Sequence, residues 1–404
     1  MPEYRGLEYL RHKLSIKRPR VLTRYRYYEM KYFVKDFGIA ETSNLRYFTS
    51  VLGWCGKAVD SMADRLVINE FANDIFGFNQ ILDMNNKDIF ADSAILDALI
   101  GSCSFIYISK DDEGFPRMQS ISCGDATGII DPITYMLTEG YAVLERNQYK
   151  QPTLEAYFTR EQTEYYRDGE LAEVVTNPAP YCLLVPLIHR PDAVREFGRS
   201  RISRACMSLT KSAVRTLKRS EISAEFYSFP QKYVTGLSQD AEPMEKWKAT
   251  ISSFIAFEKD DDNDHPVLGQ FQQQSMTPYN EQLKMFAGAF AGETGLTLDD
   301  LGFPTENPSS ADAIKSQHEN LRLQARKAQR CFGTGFVNAC YLAACVRDDF
   351  AYSREAVHEE RLKWYPIFEP DASMLSSMGD GAIKLNQAVP NFFDEERLGE
   401  LTGF

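Results

Sequence analysis

The chain has 404 residues, 44% of them hydrophobic and 25% charged, which is an ordinary globular composition. It exceeds the usual size of one compact domain, so we expect two or more structural units. No apolar run approaches the roughly 18 residues that a membrane span requires, and the polar, basic start lacks the apolar region of a secretion signal. The net charge of −12 disfavours tight wrapping of nucleic acid over the whole surface, but it is compatible with contact to DNA that must slide.

The residue types that bind metals or attack substrates are dispersed along the chain. The eight cysteines include no CxxC pair and the five histidines include no HExxH motif, so we expect reduced core cysteines and no metal site. A phosphate-binding GxxxxGK motif, a GxSxG motif and a spaced set of aspartates for two metal ions are also missing from the sequence. These observations predict no catalytic residue and no cofactor, and they argue against an ATPase or a nuclease.

Residues 1–36 form a basic and aromatic arm. They contain ten basic and four acidic residues, a net charge of +6, together with five aromatic residues between positions 25 and 33. A DNA-binding tail is one interpretation. We favour the other, an arm packed on its own or a neighbouring domain, because aromatic side chains are usually buried.

Residues 44–167 predict helices followed by an antiparallel β unit. Apolar residues recur at helical spacing over 44–64 and 83–100. Strands are predicted at 104–109, 117–122, 128–130, 141–146, 153–159 and 164–167, and Asp168-Gly169 is a strong hairpin turn. Because no βαβ alternation occurs, the fold class is α+β.

An apolar strand at 183–188 precedes a long helix, for which Ser200 is the predicted N-cap and Pro230 the end. The first half of this helix is strongly basic. After Arg199 and Arg201, its basic residues before the first acid are Arg204, Lys211, Arg215, Lys218 and Arg219.

Residues 231–276 read as a small inserted unit, with strands at 232–235 and around 270–274 and a helix at 243–255. Between them lies an acidic loop that contains Glu258, Asp260, Asp261, Asp262 and Asp264. A calcium loop would need glycine at its sixth position, where His265 stands, so that match fails. A solvated loop and a surface for docking a partner stay open as interpretations. A second helix follows at 279–292.

Glycines and prolines then mark a loop at 296–310, and either Ser309 or Ser310 is placed to cap the helix that follows. No proline interrupts residues 311–349, which predicts one long helix that Gly333 and Gly335 bend. A strand at 361–367 and two short helices, around 374–388 and 394–401, complete the chain.

The order of these pieces resembles the portal proteins of tailed bacteriophages, specifically the siphophage type found in phages of Gram-positive hosts. Four stretches carry the resemblance. They are the helix at 51–66 (VLGWCGKAVDSMADRL), the strand at 185–191 with Gly198-Arg199-Ser200, the helix end at 215–233, and Leu301-Gly302 followed by residues 307–314 (NPSSADAI). None of them is a catalytic motif.

The resemblance implies a portal fold whose parts follow the chain. The N-terminal part of the wing would span 1–198, the first stem helix 199–229, the small α/β clip 230–276 and the second stem helix 277–295. A tunnel loop at 296–310, a long kinked helix with the C-terminal part of the wing at 311–370, and a reduced helical crown at 371–404 would follow.

The resemblance also implies a function and partners. Family members form a ring, usually of twelve subunits, at one capsid vertex, and double-stranded DNA is packaged and ejected through it without sequence recognition. The implied partners are the terminase large subunit, a head-completion (adaptor) protein, and the major capsid and scaffolding proteins. The implied location is the virion, preceded by the host cytoplasm during assembly.

The charge around the tunnel loop fits a DNA channel independently. Residues 285–314 contain no lysine or arginine, and five acids give them a net charge of −5. Repeated around a ring, such a segment repels phosphates and keeps DNA mobile, whereas fixed arginines would retain it. The candidate channel residues in and beside the loop are Glu293, Asp299, Asp300, Phe303, Pro304, Glu306 and Asn307. An acidic surface loop in a monomer is the alternative.

The basic residues of the first stem helix leave three interpretations open. They can pair with acids of a neighbouring subunit, which we favour, face the shell, or form a weak basic ring inside the channel. Two other classes of protein also compete with the portal: a nucleic-acid packaging enzyme, and another structural component such as a phage head protein or ring scaffold.

Overall fold

A computed structural model describes residues 4–35, 49–228, 232–235, 267–270, 275–304, 311–368, 372–394 and 397–399. The chain divides into two compact units, one made of residues 1–32, 53–207 and 290–404, and the other of 33–52 and 208–289. The chain combines helices with antiparallel sheets, and its strands between residues 103 and 188 follow one another without an intervening helix, which confirms the α+β class. No helix in the described ranges has an apolar stretch long enough to cross a membrane.

The elements follow one another in this order: α1 (Leu7–Tyr28), α2 (Trp54–Ala63), β1 (Ile68–Ala72), α3 (Phe78–Met84), α4 (Lys87–Gly101), β2 (Cys103–Lys110), β3 (Pro116–Ser122), β4 (Ala126–Ile130), β5 (Leu137–Arg146), β6 (Pro152–Phe158), β7 (Gln162–Arg167), β8 (Glu170–Thr176), β9 (Leu184–Ile188), α5 (Arg204–Ser228), β10 (Lys232–Thr235), β11 (Val267–Gln270), α6 (Thr277–Thr294), α7 (Ala311–Gln317), α8 (Glu319–Asp348), β12 (Arg361–Trp364) and α9 (Ala372–Ala388).

A three-stranded sheet in the order β3-β2-β9 forms the centre of the first unit. The predicted hairpin of β2 and β3 is confirmed, and β9 pairs antiparallel with the other side of β2. Both α4 and α8 pack on this sheet. Because both faces of β2 are covered, its residues 103–108 are buried without alternation.

A five-stranded antiparallel sheet runs in the order β4-β5-β6-β7-β8. Asp168 and Gly169 have φ angles of 51° and 89° and join β7 to β8 as a two-residue turn, which confirms the predicted hairpin. The outermost strand β8 is exposed along its whole length. Elsewhere, β1 pairs with β12 and β10 pairs with β11.

The basic arm forms α1 and packs on the first unit, as we favoured from its aromatic content. Leu10 and Leu14 are buried against Tyr141, Val143 and Tyr157 of the five-stranded sheet. The arm is also held by charge, because the Arg11 Nη2 donates to Glu155 Oε2 at 2.7 Å. Glu139 accepts the backbone N–H groups of Arg5 and Gly6 at 3.0 and 3.1 Å and so satisfies two donors at the start of α1.

Two predicted helices have different bounds in the structure. The helix predicted at 44–64 is α2, which begins only at Trp54, and residues 36–48 lie outside the described part. The predicted helix at 83–100 covers parts of two helices, the end of α3 and most of α4. Asn86 adopts φ 55° and interrupts the helical conformation between them. Asparagine tolerates this left-handed conformation better than most residues, so the break carries a local signal.

The second unit contains most of α5 and α6 and the β10–β11 pair. The two helices run antiparallel, because Thr216 Oγ1 donates to Gln282 Oε1 at 2.8 Å and Ser223 bonds Tyr279 through their hydroxyls at 2.9 Å. The strand predicted at 232–235 is confirmed, and it pairs with β11 at 267–270. Of the strand predicted around 270–274, residues 271–274 lie outside the described residues. The predicted helix at 243–255 lies outside the described residues.

The long helix is interrupted at His318, between α7 and α8. The predicted bend at Gly333 and Gly335 stays a prediction. α8 continues unbroken through Gly333 and Gly335. Gly335 is buried where α8 packs on β9, and a Cβ added there would lie 2.6 Å from Leu187 Cδ1. The glycine therefore permits close approach of helix and strand. A sequence cannot distinguish this use from a bend, since both put glycine inside a helix.

We expect Gly335→Ala to lower the free energy of unfolding by about 1 to 3 kcal/mol, because the new methyl group must displace the fully buried Leu187. Gly333→Ala is the matched control. Its added Cβ meets Trp364 Nε1 at 3.6 Å, an ordinary contact, so it should be neutral or stabilising by up to about 1 kcal/mol. Denaturant unfolding compares the two variants, and equal stabilities would contradict the close-packing role.

Candidate functional site: the acidic segment and its attachment to the core

The acidic segment, residues 293–310, follows the last turn of α6, and the structure describes it as far as Pro304. Gly295 ends α6 with φ +74°, and its N–H donates to the Ala291 carbonyl at 2.8 Å. Glu293 and Asp299 are exposed. Glu293 accepts a hydrogen bond from Ser203 Oγ at 2.8 Å, which fixes the carboxylate at this end of α6.

Asp300 is less exposed than Glu293 and Asp299. Its Oδ2 accepts from Thr297 N and Thr297 Oγ1, both at 2.9 Å, and lies 3.2 Å from His318 Nε2. Burial acts to raise the pKa of Asp300, but the Thr297 hydrogen bonds and His318 outweigh it, and the pKa is lowered. Asp300 therefore ties the segment to the start of α8. Its place in the channel lining stays a prediction.

His318 is the residue at which α7 ends and α8 begins, and its ring lies 6.4 Å from that of Phe368. The Arg65 guanidinium lies over the Phe368 ring, 5.6 Å from the ring centroid, and makes a cation–π contact. At the far end of the described segment Phe303 is half-buried and Pro304 is exposed. Glu306 and Asn307 lie outside the described residues, as do all five acids of the predicted clip surface, Glu258, Asp260, Asp261, Asp262 and Asp264.

Arg201 is the residue that holds this region together, and the sequence did not single it out. Its side chain is buried, and Nε donates to the Ala58 carbonyl at 2.9 Å while Nη2 donates to the Thr294 carbonyl at 2.6 Å. Nη1 donates to Gln324 Oε1 of α8. Burial lowers the pKa of Arg201 to about 10, which leaves it protonated at neutral pH. One guanidinium thus joins α2, the end of α6 and α8.

The chain before α5 is fixed to the central sheet. Gly198 has φ +67°, and a Cβ there would lie 2.1 Å from the His189 carbonyl oxygen. Ser200, predicted as the helix cap, donates instead to the Ile100 carbonyl at 2.6 Å. The cap is Ser203, whose Oγ accepts Cys206 N at 3.1 Å. The prediction was wrong by three residues because Ser200 is used for attachment to α4.

His189 lies fully buried beneath this linker. Its Nδ1 is 2.7 Å from the Arg199 carbonyl, so this nitrogen carries the proton and donates it. Its Nε2 has no hydrogen-bond partner within the described part of the chain. Burial lowers the pKa of His189 to about 3, from an ordinary value of 6.5.

The buried His189 should make folding pH-dependent. Its pKa is depressed in the folded state, so its neutral form supports stability fully above pH 6.5, and that support is lost as the pH falls toward 3. We expect the wild type to lose about 1.4 kcal/mol per pH unit over this window relative to His189→Asn. Urea unfolding at several pH values measures the difference. His12→Asn, at an exposed position, is the control, and a slope unchanged in His189→Asn would contradict the assignment.

The predicted basic stem residues differ in their surroundings. Arg204 and Arg219 are exposed, Lys211 and Arg215 are half-buried, and Lys218 is buried. All of them except Arg204 have an interaction partner within the chain. Their pairing across subunits stays a prediction. Within the described residues no group of His, Cys, Asp and Glu side chains could hold a metal ion.

The phage portal protein family of the SPP1 Gp6-like type matches residues 7–360 of the chain. The portal protein of Mycobacterium phage L5 is 25% identical over 386 residues, 89% of this chain and 77% of its own length. That of Mycobacterium phage D29 is 25% identical over 403 residues, 94% and 81% of the two chains.

Two solved structures also align over most of the chain. A chain in the virion of a native gene transfer agent particle has a TM-score of 0.48 with 11% identity, covering 95% of this chain and 99% of its own. A chain in the neck of an empty gene transfer agent particle has a TM-score of 0.49 with 10% identity, covering 91% and 95%. With the family match extending from α1 to the residue before β12, this chain belongs to the SPP1 Gp6-like phage portal proteins.

Proposed function

We propose that the chain is the repeating subunit of a ring that forms the DNA channel at one vertex of a phage capsid. The observation that carries this proposal is the family match over residues 7–360, which spans α1, both long helices α5 and α6, the acidic segment and α8. In this role the protein is a structural component and performs no catalysis of its own. We expect the ring to contain twelve copies of the chain, the usual number in the family.

The acidic segment is our candidate for the channel lining. Glu293 and Asp299 expose their side chains, and no basic residue occurs between Met285 and Ile314. A ring of such segments presents negative charge to the phosphates of double-stranded DNA, which resists adhesion and keeps DNA mobile at any sequence. Asp300 would support the lining by fixing the segment to α8.

The parts of a portal subunit can be assigned to the two units. The first unit would hold the wing at 1–198, apart from residues 33–52, and at 311–370, together with the crown at 371–404. The second would hold most of the stem, with its first helix starting at Arg204, and the clip at 230–276. We propose that the clip acids meet the terminase large subunit during packaging and a head-completion protein afterwards. The major capsid and scaffolding proteins would contact the ring in the host cytoplasm before it becomes part of the virion.

Native mass spectrometry and negative-stain microscopy of the purified chain test the ring. We expect a closed ring with a central hole. A protein that stays monomeric, or that forms shell fragments, would contradict the proposal. Measurable ATP or DNA hydrolysis by the purified chain would favour a packaging enzyme instead.

The channel lining can be tested separately by reversing charge. We expect Glu293→Lys together with Asp299→Lys to leave ring mass unchanged and to lower the yield of DNA-filled particles by at least about tenfold, because a ring of lysines retains phosphates. The control is Asp112→Lys with Glu113→Lys, the same charge change in the exposed β2–β3 turn. Normal packaging by the Glu293 and Asp299 variant would contradict the assignment.

A further inference from the structure

A groove runs along α8 in the first unit. Two adjoining cavities of about 560 Å³ and 320 Å³ share Arg330, Thr334 and Asn338 of this helix. Apolar side chains form much of the larger one, contributed by α8 and by the chain around β12: Val337, Tyr341, Leu362 and Trp364. We call this surface the α8 groove.

The rim of the α8 groove is basic and unpaired. Arg326, Arg330 and Arg361 are exposed, and within the described part of the chain none of their guanidinium groups forms a hydrogen bond or an ion pair. The acid at this surface, Glu360, does not offset them, because its side chain is buried and Oε1 accepts the Ile75 N–H at 2.8 Å. The groove thus combines a positive rim with an apolar interior, which suits an acidic peptide segment that also carries apolar side chains.

The hairpin of β7 and β8, residues 162–176, has the complementary character. On β8 three large apolar side chains are exposed, with exposed fractions of 56% for Leu171, 48% for Val174 and 41% for Val175. Asp168, Glu170 and Glu173 are exposed beside them and form no ion pair with any residue that the structure describes. An edge strand that is apolar and unprotected by lysine or proline is suited to being covered by another chain.

The groove and the hairpin lie at different places on the five-stranded sheet. Tyr135, in the connection between β4 and β5, lines the smaller cavity, and Arg354 from the groove contacts the Thr134 carbonyl at 3.5 Å. β4 is the first strand of the five-stranded sheet and β8 the last. Four strand spacings of about 4.8 Å separate them. Two different, complementary surfaces on one subunit are what a head-to-tail contact requires, and such contacts form a ring where the rotation between copies closes.

We propose that the hairpin of β7 and β8 of one copy docks in the α8 groove of the next copy around the ring. This inference rests on the ring of the proposed function and adds the surfaces through which neighbouring subunits meet. Asp168, Glu170 and Glu173 pair with the arginines of the rim, while Leu171 and Val174 cover the apolar interior. Duplex DNA fits the groove less well, because it would leave the apolar interior uncovered.

Two charge-reversed proteins test the contact. The hairpin variant carries Glu170→Lys with Glu173→Lys, and the groove variant carries Arg326→Glu with Arg330→Glu. Alone, each places like charges face to face, and we expect the protein concentration needed for assembly to rise at least about tenfold. Mixed in equal amounts, the two variants are complementary at every contact. They should therefore form alternating rings of 1:1 composition, detected by native mass spectrometry. Thermal unfolding checks that both variants fold.

The control is Asp112→Lys with Glu113→Lys, which changes charge equally on another exposed hairpin and should assemble like the wild type. Rings formed equally well by the wild type and by each variant alone would overturn the inference while leaving the ring intact. Failure of each variant alone and of their mixture would also overturn it. A groove variant that assembles normally but loses affinity for a duplex oligonucleotide would assign the groove to DNA. A wild type that never forms rings would contradict the proposed function itself.

Discussion

Gly198→Ala is expected to destabilise the first unit by about 4 kcal/mol. The residue has φ +67°, where a non-glycine residue is strained, and its Cβ would lie 2.1 Å from the His189 carbonyl oxygen. That oxygen cannot move aside easily, because it accepts the Arg199 N–H at 2.8 Å. The linker would have to shift as a whole, and with it the start of α5.

Gly169→Ala is the matched control for Gly198→Ala. Its φ is +89°, but nothing lies within 4 Å of the added Cβ, so it reports the conformational strain alone, about 1 kcal/mol. Urea unfolding of both variants separates strain from collision. If both variants lose the same free energy of unfolding, the collision between the Gly198 Cβ and the His189 carbonyl contributes nothing to the loss.

Arg201→Ala should cost about 3 to 5 kcal/mol. Three charge-assisted hydrogen bonds are lost, and the buried carbonyls of Ala58 and Thr294 lose the donor that Arg201 provided. Arg201→Lys should recover little of this loss, because a single ammonium group cannot reproduce the planar fork that reaches three helices at once.

The control for Arg201→Ala is Arg204→Ala, three residues further along and exposed, for which we expect a change within about 0.5 kcal/mol. Differential scanning calorimetry and hydrogen exchange at Thr294 and Gly295 should show the loss in Arg201→Ala only. Similar melting temperatures for the two variants would show that Arg201 does not stabilise the contact between α2, α6 and α8.

The sequence predicted those elements whose signals are local. The hairpin of β2 and β3, the turn at Asp168-Gly169 and the paired long helices follow from periodicity and turn chemistry, and the structure contains them. The charge of the acidic segment is equally a property of consecutive residues. The family, and the portal function with it, could be inferred from the order of these pieces.

What the sequence could not predict depends on contacts between distant residues. Ser200 and Ser203 are equally good helix caps by type, and only the Ile100 carbonyl, 100 positions earlier, decides that Ser203 is the cap. Asp300 cannot be told from Asp299 until His318 is placed beside it. The role of Arg201 cannot be recognised in the sequence, because its partners Ala58 and Thr294 are distant along the chain.

The attachment of α1 has a practical consequence for anyone who shortens or tags this protein. The basic, tyrosine-rich arm could be mistaken for a dispensable tail and deleted. Without α1, however, the sheet would present Tyr141, Val143 and Tyr157 to water, and Glu139 and Glu155, now 1% and 8% exposed, would lose the partners that residues 5–11 provide. We expect a chain that starts after Tyr28 to aggregate during expression.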